Sequence, residues 1–498
     1  MMKKIFSVIK PRYIFILGCL LLIFLAALKT PYDPDMGWHF QNGQYLLTHQ
    51  LKVPKTDIYT YTMPDYPLIM HEWITDILMH IIYKFLGFWG LGIIFAGITT
   101  AAFYIAAKSV RAKPEYQIIA SLIGALASFS MVGIRPQVIT LLFLGILLYI
   151  LHRFMENPQS KIIYWLPLLF LVWVNLHGGF VIGLFVLFLF LAAELLKIIF
   201  QKIYQSVKSH DYKLKVIWPK DWLKVIYITI LSVIATLINP YFWRIYKEIY
   251  ATMSDTNLRA TITEWLPVSV KSSQSYFFLI YLVLIVILGI LFYKKLKFTP
   301  VFMFIVFAYI GFTAWRNMPL FVIFSIPLWV YFARGLVGET LSKLLTSKLA
   351  LVLLLLALFI SAYQQLKTVS KSYASVEAMS KYSDYQYPYD AVQYLKAHPL
   401  SGNMLNMYNT GGYLIWQLPE YKVFIDGRMP SWKYNDQSVM LEFQDLVNLK
   451  NNWPDILDKY KVDWAFIDRR ASLAVVLINA GWKNIYQDDL AVILVKPN

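Results

Sequence analysis

The stretch Tyr32-Asp33-Pro34-Asp35-Met36-Gly37-Trp38-His39 follows closely on the first long apolar run of the chain, Tyr13 to Ala27. Lys3, Lys4, Lys10 and Arg12 precede that run. The positive-inside rule therefore keeps Met1 to Arg12 in the cytoplasm and brings the acidic stretch out on the opposite face. Two carboxylates so close together at a bilayer surface are costly unless a cationic or nucleophilic group is brought to them, so the stretch reads as the start of a site. The run before it has no small-residue cleavage site ahead of Lys29-Thr30-Pro31, which predicts a retained anchor rather than a signal peptide.

Working outward, the composition agrees with a membrane setting. Of 498 residues, 58% are hydrophobic and only 15% charged, which lies outside the range of soluble domains. Apolar runs of spanning length recur near 13–28, 89–107, 116–132, 137–151, 161–174, 178–199, 223–238, 275–293, 298–314, 318–333 and 349–363, predicting about eleven crossings. The net charge of +17 is concentrated in alternate gaps between them, at Lys108, Arg111 and Lys113; Arg153 and Lys161; Lys197 to Lys224; Lys294, Lys295 and Lys297; and Arg334, Lys343 and Lys348. That asymmetry sets orientation and favours anionic lipid, and it argues against nucleic acid as the partner. An odd number of crossings leaves the chain beyond about 365 outside. The single cysteine, Cys19, lies in the first run, which excludes a disulfide framework and a thiolate metal site.

The domain organisation that follows is a membrane module over 1–364 and an extracytoplasmic α/β domain over 365–498. In the module, 29–88 forms a first outer loop with two interfacial helices, Met36 to Thr48 and His71 to Phe85. In the C-terminal part, Asn403 to Tyr408, Lys422 to Asp426, Asp463 to Ile467 and Ala491 to Val495 read as strands. Tyr389 to Ala397, Gln437 to Leu449, Trp453 to Tyr460 and Ala471 to Ala480 read as helices, with a closing hairpin at Asp488-Asp489.

Polar residues capable of chemistry collect on the outer side. Asp33 and Asp35 suit a general base and an orienting acid, or else cap the helix that follows. Glu72 offers a third carboxylate. His39 and His71 suit a phosphate, an acceptor or a metal, or sit at headgroup level beside Trp38 and Trp73. Arg135 and Arg316, at the outer ends of spans, suit a phosphate fork, against the alternative of snorkelling to headgroups. His177, in Asn175-Leu176-His177-Gly178-Gly179, faces the same headgroup level or packs a turn. Glu264 beside Trp265 suits a sugar, or a pair with Arg244 or Arg259. In the C-terminal part, Gly411-Gly412-Tyr413 and Phe424-Ile425-Asp426-Gly427-Arg428 match no Walker, dinucleotide or hydrolase fingerprint.

Taken together, Asp33-Pro34-Asp35-Met36-Gly37-Trp38-His39, His71-Glu72-Trp73, Arg135-Pro136-Gln137, Asn175 to Gly179, Gly411-Gly412-Tyr413 and Phe424 to Arg428 resemble a bacterial branch of the GT-C superfamily of membrane glycosyltransferases. The resemblance extends over essentially the whole chain. It implies transfer of a sugar from a polyprenyl-phosphate donor to a lipid, glycan or protein acceptor on the outer face of the cytoplasmic membrane. It also implies a first-loop acid as base: Asp35 by position, with Asp33 second and Glu72 assisting. Pro34 separates acids that other members carry side by side. Arg135, Arg316 and His177 then hold the donor phosphate, while His39, His71, Trp38 and Glu264 contact acceptor or sugar. The site takes one of two forms, one with a divalent cation such as Mg or Mn on Asp35 and Glu72, the other metal-free with the arginines neutralising the leaving phosphate. Two rival classes share these features: a lipid or polysaccharide transporter gated by the outer loop, and a non-catalytic membrane assembly protein.

Overall fold

The computed structural model describes residues 10–31, 33–207, 219–272, 275–293, 296–336 and 338–497. Lys3, Lys4, Tyr32, Lys208, Lys213, Lys215, Lys294 and Lys295 lie outside the described residues. Each apolar run named above falls on a helix. Among the described residues, five helices are long and apolar enough to cross a membrane: Trp73–Lys108, Gln137–Glu156, Phe180–Lys202, Trp315–Arg334 and Lys348–Ser372. Shorter apolar helices accompany them at Pro11–Ala27, Lys161–Leu176, Tyr276–Leu291 and Phe298–Thr313. The chain is a mainly helical, multi-pass membrane protein, and the figure of eleven crossings stands as a reading of the sequence.

The predicted interfacial helix His71 to Phe85 begins at Trp73 and merges with the span after it into one 36-residue element, interrupted only at Gly87, whose φ of 58° is open to glycine at little cost. Met36–Thr48 forms as expected.

The chain divides into two compact units that do not follow chain order. The first comprises residues up to Lys29, Ile93–Phe242 and Ile262–Leu366. Here Pro11–Ala27 packs on Pro114–Ala127, Leu166–Leu176 on Pro219–Ala235, and Phe298–Thr313 on Met318–Leu336. Proline at the first turn of the Pro11 and Pro114 helices removes an N–H that has no intrahelical acceptor there, so both helices start cleanly. Phe307 and Phe324 stack at 3.7 Å in the last of these pairs. Lys348–Ser372 instead leaves Leu349, Val352, Leu353, Leu356 and Phe359 exposed, as a helix solvated by lipid does.

The second unit comprises Thr30–Gly92, Trp243–Thr261 and the chain from Lys367 onward. It contains a four-stranded sheet of β1 (Asn403–Asn406), β2 (Val462–Asp468), β3 (Lys483–Gln487) and β4 (Ala491–Val495), in the order β1-β2-β4-β3. β1 runs parallel to β2, and the other neighbours are antiparallel. The four expected helices appear at Tyr389–Ala397, Val439–Val447, Trp453–Lys459 and Ser472–Asn479, and β3–β4 is the expected hairpin.

Lys422 to Asp426 is not a strand of this sheet. The N–H groups of Phe424 and Ile425 donate to Asn406 Oδ1, and Val423 bridges to Thr60 in the first loop, with its N–H on the Tyr59 carbonyl. The apolar run is buried as a strand would be, but its backbone finds partners outside the sheet. Gly411-Gly412 opens the helix Gly411–Gln417, which packs on Met36–Thr48.

Candidate functional site

In the second unit the acid stretch forms a tight turn into Met36–Thr48. Asp33 is buried, and its Oδ1 accepts the Asp35 N–H at 3.0 Å while its carbonyl accepts the Met36 N–H at 3.1 Å. Asp33 is thus a turn-forming acid. Asp35 is half-buried, with its carboxylate against Gly427.

One helical turn further on, four buried side chains converge, His39, Asn42, Glu72 and Asp76. His39 Nδ1 lies 2.5 Å from Asp76 Oδ1, His39 Nε2 lies 3.6 Å from Glu72 Oε2, and Asn42 Nδ2 donates to Asp76 Oδ2 at 2.9 Å. His39 and Asn42 are three apart on one helix, and Glu72 and Asp76 are four apart at the start of another, so each pair shares a face. Burial opposes a charged imidazole, but Asp76, then Glu72 and Asp33, outweigh it and push the His39 pKa up to about 9. In this form a proton on His39 balances the carboxylates. Trp38 lies over His39 with ring centres 3.7 Å apart. His71, half-buried, reaches the other oxygen of Glu72 at 3.6 Å.

Among the described residues, His39, Glu72 and Asp76 form the one cluster able to hold a metal ion, each offering an atom within 4.8 Å of the others. The donor set, one imidazole and two carboxylates, fits a divalent cation, and the Oδ1 of Asn42, whose Nδ2 donates to Asp76, is buried with no hydrogen-bond partner. Glu72 is the expected ligand. Asp35, the other expected one, lies outside the cluster, because its side chain is turned to the wall that carries Gly427. Asp76 went unread because it sits at the head of an apolar helix, although the Glu72-x-x-x-Asp76 spacing was there to find.

That wall is built on a buried ion pair. Arg428 Nη1 donates to Asp57 Oδ1 at 2.8 Å and Nη2 to Asp426 Oδ2 at 2.6 Å, with the guanidinium over Tyr59 and Trp432. The Phe424 to Arg428 motif is thereby tied to the first loop.

In the first unit, Arg135 and Arg316 are brought together by one carboxylate. Glu264 accepts from Arg135 Nη1 at 2.8 Å and Arg316 Nη1 at 3.1 Å, and Arg316 also lies over Trp265. The expected partners of Glu264, Arg244 and Arg259, are not its partners; both belong to the other unit. Burial would raise the Glu264 pKa, but Arg316 and Arg135 bring it down to about 2. His177 Nδ1 accepts from the Gly179 N–H at 2.8 Å and lies 2.8 Å from Thr140 Oγ1, which itself accepts from Trp173 Nε1 at 3.2 Å. An Nδ1 that accepts assigns the neutral ring's proton to Nε2. Asn175 serves the backbone, donating to the carbonyls of Leu171 and Ile238.

Among solved structures, the chain is similar to the archaeal oligosaccharyltransferase AglB from Archaeoglobus fulgidus in complex with an inhibitory peptide and a dolichol-phosphate. The TM-score is 0.57 at 13% identity, over 92% of this chain and 69% of that one. The Archaeoglobus fulgidus oligosaccharyltransferase tethered to an acceptor peptide containing the NVT sequon gives 0.56 at 13% identity, over 92% and 68%. Its apo form gives 0.53 at 12%, over 93% and 70%. No protein-family model matches the chain, and no curated protein matches it by sequence. The likeness is one of fold, shared with these oligosaccharyltransferase structures.

Proposed function

We propose that the protein is a membrane glycosyltransferase that moves a sugar from a polyprenyl-phosphate donor to an acceptor on the outer face of the cytoplasmic membrane. Its N-terminus is then cytoplasmic and residues 365–498 extracytoplasmic. The observation that carries this reading is the GT-C fold over 92% of the chain, within which the first loop holds the Asp33–Asp35 turn beside a buried His–Glu–Asp cluster. The dolichol-phosphate bound by the AglB neighbour favours a lipid-linked donor, and the acceptor is a lipid, glycan or protein.

In this reading Asp35 is the base. An acceptor hydroxyl or amide nitrogen attacks the anomeric carbon, the bond from that carbon to the phosphate oxygen breaks with inversion, and the acceptor proton passes to Asp35. Asp33 holds the turn that presents Asp35. Arg135 and Arg316 neutralise the charge left on the lipid phosphate, and His177 donates to it through Nε2. Glu264, which the two arginines now share, is the carboxylate the phosphate displaces. Trp38 and His71 contact the acceptor or sugar. A divalent cation held by His39, Glu72 and Asp76 would supply fixed positive charge beside the acid turn, and the imidazole favours Mn over Mg.

The test is release of polyprenyl phosphate from a panel of polyprenyl-phosphate sugars by the protein in lipid nanodiscs, with acceptor-containing membrane extract present. Release by the wild type that is abolished in a folded Asp35→Asn variant supports the reading. No release from any donor, or release indifferent to Asp35, overturns it and favours a transporter or an assembly protein.

A further inference from the structure

Four glycines join the acid turn to its wall where a side chain has no room. A Cβ on Gly37 would fall 2.1 Å from the Gly412 carbonyl oxygen, one on Gly412 2.4 Å from that of Pro34, and one on Gly411 2.2 Å from that of Ile425. A Cβ on Gly427 would fall 1.7 Å from Asp35 Oδ1. The first three contacts are between backbones, as close packing of two helices and a loop requires. The fourth is with the carboxylate itself.

Gly427 is not required by its own backbone. Among the described residues the glycines with positive φ are Gly87, Gly402 and Gly481, so an alanine at 427 meets no conformational strain. What the glycine provides is the space that Asp35 occupies. The turn is held in place from behind, where Arg428 donates from its backbone N–H and Nε to Asp426 Oδ1 at 2.9 and 2.8 Å, and from Nη1 to Asp57. On the other side, the buried Tyr387 hydroxyl donates to the Asp33 carbonyl at 2.9 Å, and Asp33 in turn accepts the Asp35 N–H. The carboxylate of Asp35 is thus confined by Gly427, and its backbone by Asp33 and Tyr387.

We propose that Gly427 and Tyr387, both from the C-terminal part of the chain, are positioning residues that hold Asp35 in the orientation from which it takes the acceptor proton. This rests on the reading of Asp35 as base. A displacement of about 1 Å at a reacting group costs on the order of 100-fold in rate.

The experiment measures kcat and KM for a polyprenyl-phosphate hexose that the wild type turns over, in nanodiscs, for Gly427→Ala and Tyr387→Phe, with Asp35→Asn as the inactive reference. Gly427→Ala is expected to lower kcat by about 100-fold with donor KM held within about threefold. A loss carried by donor KM instead of kcat, or no loss at all, overturns the proposal. Should Gly427→Ala fail to fold, Tyr387→Phe removes only a hydroxyl. Its expected loss in kcat of about tenfold, with donor KM held, supports the proposal, and an unchanged kcat overturns it. The two readings fail differently. A wild type with no donor, or an Asp35→Asn as fast as wild type, removes the transferase reading. A full-speed Gly427→Ala beside an inactive Asp35→Asn removes only the positioning roles.

Discussion

His39 Nδ1 and Asp76 Oδ1 meet at 2.5 Å although 37 residues separate them, and both side chains are buried. Buried carboxylates need compensating positive charge, and here either a proton on His39 or a cation supplies it. Asp76→Asn keeps the shape and the Asn42 contact on one side while removing the charge. Mn affinity, read by titration of the Mn electron-spin-resonance signal, is expected to fall by about 10–100-fold. Chelator-treated protein should lose transfer and regain it with Mn. Full activity after chelation would leave the cluster as a proton-balanced structural network.

Glu264 holds both arginines proposed for the donor phosphate. A phosphate arriving at Arg135 and Arg316 has to displace it, so Glu264→Gln should tighten the binding of polyprenyl phosphate itself by about tenfold, about 1.4 kcal/mol. Arg135→Met should weaken the same binding by at least as much, since it removes a charge-assisted donor. Binding of polyprenyl phosphate in nanodiscs checks both. An unchanged affinity in Glu264→Gln would make the Arg–Glu–Arg bridge a structural strut.

What was legible in the sequence was local. Apolar runs of spanning length, the Met36 to Thr48 pattern and the helices after Tyr389 depend on neighbours a few residues away, and all form. Asp33 and Asp35 stand out because acids are rare beside a span. The pairings that make the site are not local. Arg428 finds Asp57 across 371 residues, and Asp76 becomes a candidate ligand only when the helix carrying Glu72 lies beside the one carrying His39. Lys422 to Asp426 has the burial of a strand, yet its partners are Asn406 and the first loop, a choice that propensity does not contain. For the same reason, the sequence does not show that the space beside Gly427 is filled by the carboxylate of Asp35.

The bridge at Glu264 has an acid signature. Its pKa, brought to about 2 by Arg316 and Arg135 against burial, lies below that of the carboxyl in an unfolded chain. A depressed folded-state pKa adds stability that is complete above the ordinary carboxylate range and is lost as pH falls toward about 2. Between pH 5 and pH 2, about the ordinary and the depressed values, the melting temperature of the wild type should therefore fall more steeply than that of Glu264→Gln, which lacks the titrating group. Parallel declines in nanodiscs would remove the Glu264 contribution.

Arg428 bears on folding more than on chemistry. Its guanidinium is buried between Asp57 and Asp426, and it joins a turn of the C-terminal part to the first loop. Arg428→Met removes the only cation in that contact and leaves two buried carboxylates facing one another, a loss of about 3–5 kcal/mol. Arg428→Lys restores the charge but not the fork that reaches Asp426 and Asp57 together, so it should recover only part of that stability. Thermal unfolding in nanodiscs orders the three proteins: wild type highest, Lys intermediate, Met lowest. If the Asp57→Asn, Asp426→Asn, Arg428→Met triple variant regains the stability lost in Arg428→Met alone, the loss came from unpaired carboxylates. If it does not, the guanidinium stabilises the turn through its contacts with Tyr59 and Trp432 instead.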